Sequence, residues 1–153
     1  MENLNELYVI PSGKPKIWDH KPELGSVKAC EAYTGTFHRL LQQYVEMINV
    51  HWVIISPKYG ILNPDEFVPE TYNLSFSMKK NPDVISVERM SQQLSEKGLS
   101  DAKRVVMLGG KKFKPIMEQL FPQASLHYPL HGSKGIGAMQ KSLKDAINNK
   151  RML

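Results

Sequence analysis

The stretch that decides the fold spans residues 51 to 60 and reads His51-Trp52-Val53-Ile54-Ile55-Ser56-Pro57-Lys58-Tyr59-Gly60. Its first half is rich in β-branched and aromatic residues, which favours a strand. A strand that is apolar throughout is buried on both faces, as in a parallel sheet covered by helices. The second half, with Pro57 and Gly60, is typical of a loop. The stretch therefore predicts a buried strand that runs into a loop carrying lysine and glycine.

The same order of strand, loop and helix recurs along the chain. Further strands are predicted at residues 7–10, 103–108 and 126–130, and helices at 26–49, 81–97, 113–120 and from about 137 to 148. Thr34-Gly35-Thr36 divides the first helix, with Thr36 as a cap, and Gly98 stops the second. Residues 61 to 80 read as a long surface loop, with one short strand near Tyr72 to Phe76. Regular alternation predicts an α/β fold, a three-layer α/β/α sandwich with a four-stranded, mainly parallel sheet.

The composition predicts one globular α/β domain covering residues 1–153. Apolar residues make up 41% of the chain and charged residues 23%. The longest apolar runs are strand-sized, well below the roughly 20 residues of a membrane-spanning helix. The amino end shows no export signal, and Cys30 is the lone cysteine, so we expect a cytoplasmic protein that does not enter a membrane.

The charge balance favours an anionic partner. The formal net charge is +5, and sixteen of the twenty cationic residues are lysine. Lysine is a point charge suited to phosphate, whereas arginine is the usual reader of guanine edges in duplex DNA. The balance thus predicts a phosphate-bearing partner more readily than sequence-specific reading of duplex DNA.

Four loops that follow the predicted strands carry both glycine and lysine. In a parallel sheet these loops gather at the carboxyl edge, where glycine lets backbone approach an oxyanion and lysine supplies charge. The residues expected to bind a phosphate-bearing ligand are Ser12, Gly13, Lys14, Ser56, Lys58, Gly109, Gly110, Lys111 and Lys134. Glycine and lysine are also common loop residues, and sixteen lysines will place some near any edge by chance.

Acidic and aromatic residues in the same loops are candidates for chemistry on a nucleobase. Asp19 and Asp65 are the catalytic candidates, because a carboxylate orients water or stabilises an oxocarbenium ion. Trp18, Tyr33 and Tyr59 are candidates to contact a planar base. The alternatives are a turn cap for Asp19, a solvated acidic turn for Asp65, and core packing for the tyrosines.

No cofactor or metal is expected. The glycines of residues 132–137 have the wrong spacing for a dinucleotide loop or a P-loop, which disfavours ATP hydrolysis and hydride transfer. His127 and His131 are four residues apart, but Pro129 excludes the helix that would bring them to one face.

Several loop sequences resemble a family of small uncharacterised bacterial and phage proteins. The resemblance rests on Pro11-Ser12-Gly13-Lys14, Ala32-Tyr33-Thr34-Gly35, Leu108-Gly109-Gly110, the segment from Ile55 to Asp65, and the segment from Pro129 to Gly137. That family is similar, at a distance, to the uracil-DNA glycosylase-like fold, the peroxide-stress protein family and a domain of archaeosine synthase. The resemblance implies nucleobase or nucleic-acid chemistry. Ser12 stands where the family usually has cysteine, and the glycosylase motif Gly-Gln-Asp-Pro-Tyr is absent.

The leading hypothesis is a hydrolase-like enzyme that acts on a nucleotide or nucleic acid at an N-glycosidic bond. The alternatives are a non-catalytic nucleic-acid-binding protein, whose lysines follow a phosphate backbone, and a phage-derived host-interaction protein, which would need an exposed apolar patch. Nothing in the sequence favours a particular oligomeric state.

Replacing Asp19 or Asp65 with asparagine should abolish turnover and largely preserve binding, because the amide keeps the shape of the carboxylate but not its charge. Turnover is measured as base released from nucleotides, modified DNA and tRNA by mass spectrometry. Full activity in both variants would contradict the catalytic assignment.

Overall fold

A computed structural model of the chain describes residues 5–78 and 80–153. Its strands are β1 (Glu6–Pro11), β2 (Val27–Lys28), β3 (Trp52–Ser56), β4 (Gly60–Leu62), β5 (Phe67–Val68), β6 (Arg104–Met107) and β7 (Ser125–His127). Its α-helices are α1 (Ala29–Ala32), α2 (Thr36–Ile48), α3 (Val87–Glu96), α4 (Lys114–Leu120) and α5 (Ile136–Asn148). Two single-turn 3-10 helices cover Ile17–Asp19 and Lys111–Phe113.

The main sheet has the strand order β4-β3-β1-β6-β7. β1 pairs in parallel with β3 on one side and with β6 on the other, and β7 extends the sheet in parallel beyond β6. β4 runs antiparallel to β3, and β2 and β5 form a separate antiparallel pair. The prediction of an α/β fold with a mainly parallel sheet is therefore confirmed.

Helices cover both faces of the main sheet. On one face, Tyr8 and Ile10 of β1 belong to a core that also contains buried residues of α1, α2 and α5. On the other face, Leu7 and Val9 belong to a core with α3 and α4. Successive strand residues point to opposite faces, so a fully apolar strand supplies both cores at once.

The sheet contains five strands among the described residues, one more than predicted. The added strand is β4, which lies in the region predicted as a loop. Gly60 has a φ of +75°, so the chain reverses there and returns beside β3, with Ile54 opposite Leu62. The short strand predicted near Tyr72 to Phe76 is wrong, because that segment has no strand pairing.

Three helix starts also differ from the prediction. The first predicted helix does not begin at residue 26, because Val27–Lys28 pair with β5 as β2, and α1 begins at Ala29. α3 begins at Val87 and not near Asn81, because Asn81 forms a turn in which its Oδ1 accepts the amide of Asp83 at 2.9 Å. Ser86 is the cap, and its Oγ accepts the amide of Arg89 at 3.1 Å. At α2 the cap position is Gly35, and Thr36 is the first helical residue. Gly98, with a φ of +70°, follows α3 as predicted.

The helices within residues 5–78 and 80–153 include none with the length and apolar character needed to cross a bilayer. The long connection between β5 and α3 passes the carboxyl edge of the sheet, where the candidate site lies.

The Gly60→Ala variant should lose stability, because a methyl group there would lie 2.1 Å from Gln93 Oε1 and 2.6 Å from Ile85 Cδ1 on a left-handed backbone. We expect a decrease of about 2–4 kcal/mol in the free energy of unfolding, measured by urea denaturation. Gly25→Ala is the matched control, since no atom lies within 4 Å of the added methyl group. Equal stabilities of the two variants would contradict this account of the β3–β4 turn.

Candidate functional site

A cavity of about 620 Å³ opens at the carboxyl edge of the main sheet. Its lining residues come from the segments 11–14, 35–38, 55–57, 73–78, 110–113 and 136–139. Five of these segments end or follow β1, β3 and β6 or begin α2 and α5, and the segment 73–78 lies in the connection between β5 and α3. Cavities of this size and composition are typical of small-molecule sites.

The order of the strands explains where the cavity lies. The chain leaves β1 toward α2 on one face of the sheet, whereas it leaves the neighbouring β6 toward α4 on the other face. Loops that diverge to opposite faces leave a crevice between adjacent strands, the usual ligand position in open α/β sheets. The cavity occupies this crevice between the β1 and β6 loops.

The loop after β1 forms one wall of the cavity. Ser12 is buried, and its amide donates to the carbonyl oxygen of Ile55 at 3.1 Å, which ties the loop to β3. Gly13 has a φ of +81°, and no atom lies within 4 Å of the position of a Cβ there. Lys14 follows on the exposed side. This turn leaves the backbone open to an approaching ligand, with an ammonium group beside it.

The loop after β6 supplies further positive charge. Lys111 and Lys112 are exposed, and Lys112 Nζ lies 5.3 Å from the ring centroid of Phe113. None of the lining residues in the part of the chain that the structure describes is aspartate or glutamate. The charged groups at the cavity are therefore cationic, which favours an anionic ligand.

Large apolar side chains form the remaining walls. Phe37 and Met139 line the cavity from α2 and α5. Phe76 contacts Phe113 edge to face, with ring centroids 5.9 Å apart and an interplanar angle of 77°. Cationic groups beside flat apolar walls suit a ligand that combines phosphate with a planar ring.

His38, in the first turn of α2, is a buried member of the lining. Its Nδ1 lies 2.8 Å from the carbonyl oxygen of Pro11, which can only accept, so Nδ1 carries the hydrogen. Its Nε2 lies 2.8 Å from Gln42 Nε2 and accepts from that amide. Burial lowers the pKa of His38 to about 4. The uncharged ring thus connects α2 to the end of β1 through a hydrogen bond.

A polar cluster lies beside the cavity; we call it the Tyr72 cluster, and it comprises the buried Lys16, Tyr33 and Ser56 with the half-buried Tyr72. The Tyr72 hydroxyl is 2.7 Å from the Tyr33 hydroxyl and 2.7 Å from Ser56 Oγ. Lys16 Nζ lies 4.3 Å from the Tyr72 ring centroid. Burial lowers the pKa of Lys16 and raises the pKa of Tyr33. The cluster joins segments that follow β1, α1 and β3.

The structure brings five of the predicted site residues together. The predicted residues that line the cavity are Ser12, Gly13, Lys14, Gly110 and Lys111. Gly109 is buried behind them, where a methyl group would lie 2.9 Å from the Phe113 ring. Ser56 and Tyr33 belong to the Tyr72 cluster, and Tyr59 packs edge to face on Tyr72.

The other predicted residues lie outside the lining. Trp18 is buried, and its Nε1 donates to the carbonyl oxygen of Leu24 at 3.0 Å. Lys58 Nζ pairs with a Glu70 oxygen at 3.6 Å. Lys134 is exposed on the loop before α5. Of the four lysines expected to meet at the edge, Lys14 and Lys111 line the cavity.

Neither catalytic candidate lines the cavity. The carboxylate of Asp19 is exposed and accepts the amide of Lys16 at 2.9 Å, which is the geometry of the turn-cap alternative. Asp65 is exposed in the turn before β5, beside Glu66, which pairs with Lys97 at 2.9 Å. Their catalytic role stays a prediction.

Sequence reasoning missed Lys16, His38, Tyr72 and Phe76. His38 bonds to Pro11, which is 27 residues away, and Tyr72 bonds to Tyr33, which is 39 residues away. Hydrogen-bond partners so far apart in sequence produce no repeating local pattern by which they could be predicted. The one available signal was the cluster of aromatic residues within the long loop, which indicates burial for at least one of them.

Comparisons with known proteins show that the chain is similar to uncharacterised proteins over most of its length. A family profile described as "Family of unknown function (DUF6884)" matches residues 20–145, from just after the β1 loop into α5. The "Uncharacterized protein YfjM" of Bacillus subtilis (strain 168) is 36% identical over 151 residues. That match covers 98% of this chain and 100% of that protein.

His38 should make the protein less stable in acid. Its pKa is about 4 in the folded chain, below the ordinary value of 6.5, so between these values only the unfolded chain takes up the proton. We expect the His38 contribution to the free energy of unfolding to fall by about 2 kcal/mol from about pH 8 to about pH 5. Urea denaturation monitored by tryptophan fluorescence at both pH values measures the loss.

The His38→Gln variant is the control for this measurement, because glutamine does not titrate. It should be less stable at pH 8 and should lose less stability toward pH 5 than the parent chain. An equal loss in the two proteins would show that other groups cause the pH dependence.

Proposed function

The chain belongs to the DUF6884 family of unknown function, and we propose that it is an enzyme that processes a nucleotide or nucleic acid at an N-glycosidic bond. The phosphate of the ligand would bind beside Gly13 and Lys14 on one loop and beside Lys111 on the other. The base would lie between the aromatic walls. The uracil-DNA glycosylase-like relationship, which the family resemblance implies, belongs to the same proposal.

The observation that carries the proposal is the division of one cavity into cationic and apolar parts. Lys14 and Lys111 come from loops after adjacent parallel strands, while Phe37, Phe76 and Phe113 provide flat apolar surface. A nucleotide has the same two parts, a charged phosphate and a planar base. Inorganic phosphate alone would leave the apolar walls unused.

The reaction itself is the finer part of the proposal. Removal of a base develops positive charge on the sugar, and a carboxylate stabilises that charge. Asp19 stands at the end of the β1 loop, five residues beyond Lys14, and is the nearer of the two candidates along the chain. To act, its carboxylate would exchange its bond to the Lys16 amide for one to water or substrate.

One observation favours the second candidate function, a non-catalytic nucleic-acid-binding protein. The described lining residues include no carboxylate, and the imidazole of His38 already has partners on both nitrogens. A binding protein needs neither an acid nor a base in its pocket. Its affinity would fall steeply with salt and rise with the length of the strand.

The Lys14→Ala and Lys111→Ala variants should each bind nucleoside 5′-monophosphates about tenfold more weakly, because each loses a charge-assisted contact to phosphate. Isothermal titration calorimetry at fixed salt measures the affinities. Lys103→Ala is the matched control, since Lys103 is exposed and precedes β6 at the opposite edge of the sheet. Equal affinities for all three variants would overturn the proposed site.

A screen for released bases then separates the two functions. Nucleotides, modified DNA and tRNA are incubated with the protein, and free bases are identified by mass spectrometry. Release by the parent chain and not by Asp19→Asn or Asp65→Asn supports the enzyme. No release across the panel, together with salt-dependent binding of oligonucleotides, supports the binding protein.

A further inference from the structure

The outer wall of the cavity is a segment without helix or strand, residues 73–78. It follows Tyr72, whose half-buried side chain bonds to the buried residues of the Tyr72 cluster. Within the segment, Phe76 contacts Phe113 across the cavity mouth. The remaining hydrogen bonds found in the segment are local turns, such as Met78 amide to Ser75 carbonyl at 3.0 Å. Among the described residues, Tyr72 and Phe76 attach this wall to the rest of the molecule, and the two attachments differ in strength.

Tyr72 makes the stronger attachment. Its hydroxyl bonds at 2.7 Å to Tyr33, which is 1% exposed, and at 2.7 Å to Ser56, which is fully buried. Lys16, 3% exposed, holds its ammonium group over the Tyr72 ring and also donates to the Lys14 carbonyl at 2.8 Å. Withdrawing Tyr72 would leave the buried Tyr33 hydroxyl without its hydrogen-bond partner, and the Lys16 ammonium group would lose its cation–π contact with the Tyr72 ring.

Phe76 makes the weaker attachment. It is half-buried, and its edge-to-face contact with Phe113 has a centroid distance of 5.9 Å. Phe76 packs against the core that contains the buried Phe113, so lifting its ring exposes apolar surface. Withdrawing Tyr72 costs more, because it leaves a buried hydroxyl and a buried ammonium group without partners. The segment should consequently open at Phe76 long before it leaves Tyr72.

We propose that residues 73–78 form a lid over the cavity, with Tyr72 as its fixed anchor and the Phe76–Phe113 contact as the part that opens. The lid controls entry to the site, and in this respect the inference rests on the proposed function. Phe113 lies in the same turn as Lys111 and Lys112, so a phosphate bound at that turn stabilises the surface on which the lid closes. Tyr72 and Lys16 are positioning residues and are not placed in contact with the ligand.

The test is cleavage of the ligand-free protein by chymotrypsin after Phe76. A protease binds an extended stretch of several residues on both sides of the cut, so cleavage requires Phe76 to leave Phe113 and also loosens the Tyr72 anchor four residues away. Tyr72→Phe keeps the ring under Lys16 and removes both hydroxyl bonds. We expect its cleavage after Phe76 to be about tenfold faster than in the parent chain. Mass spectrometry of the fragments measures the rate of this cleavage. Tyr59→Phe is the matched control, because that hydroxyl reaches only the Glu70 carbonyl, at 3.4 Å, and its rate should stay within twofold.

Urea denaturation of each variant shows whether the effect is local. A faster cut after Phe76 that exceeds the change in the global unfolding constant supports the anchor. A rate within twofold of the parent chain, or a rise no larger than the global change, overturns it. If Tyr72→Phe does not fold, Tyr33→Phe removes one of the two bonds and should give a smaller rise by the same measurement.

The outcome is separate from that of the proposed function. The cleavage assay contains no nucleotide, so failure of nucleotide binding leaves the lid intact as a structural conclusion. A lid that fails the cleavage test leaves the affinities of the Lys14→Ala and Lys111→Ala variants unaffected.

Discussion

The pairing of β1 with β3 and β6 is the constraint on which the rest of the structure depends. β1 is the central strand, and both of its neighbours run parallel to it. Leu7 and Val9 lie in one core and Tyr8 and Ile10 in the other, so this strand contributes to both layers of helices. Its carboxyl end is fixed twice, by the Ser12 amide on Ile55 and by His38 on the Pro11 carbonyl. The position of the β1 loop follows from these contacts.

The cavity is a consequence of the same pairing. Because the chain leaves β1 and β6 toward opposite faces, no helix of residues 5–78 and 80–153 fills the space between their loops. The long connection after β5 crosses the opening and is tied to the end of β3 through Tyr72 and Ser56. The Tyr72 cluster therefore attaches the outer wall of the cavity to the end of β3, as His38 attaches the inner wall on α2 to the end of β1. Both are buried polar contacts whose partners come from distant parts of the chain.

The electrostatic character of the cavity limits the chemistry that the proposed function can use. Its charged groups are lysines, and its buried imidazole is neutral and fully hydrogen-bonded. Such a site is suited to holding an anion beside an apolar group. A reaction that needs a carboxylate would have to draw it from outside the described lining, where Asp19 and Asp65 are exposed. An enzyme would need such a carboxylate in addition to the binding groups of the cavity, whereas a binding protein would need the binding groups alone.

The sequence by itself determined the class of fold and the edge of the sheet at which the candidate site was expected. Buried apolar strands and intervening helices are local patterns, and the parallel arrangement that follows from them brings the loops with Gly13 and Lys111 together. Only the tertiary structure decided the fifth strand, the Tyr72 cluster and the neutral state of His38. A strand as short as β4 has no period to recognise, and it forms because Gly60 reverses the chain against β3. A hydrogen bond between Tyr33 and Tyr72, or between His38 and Pro11, depends on packing between segments far apart in sequence, which no local spacing encodes.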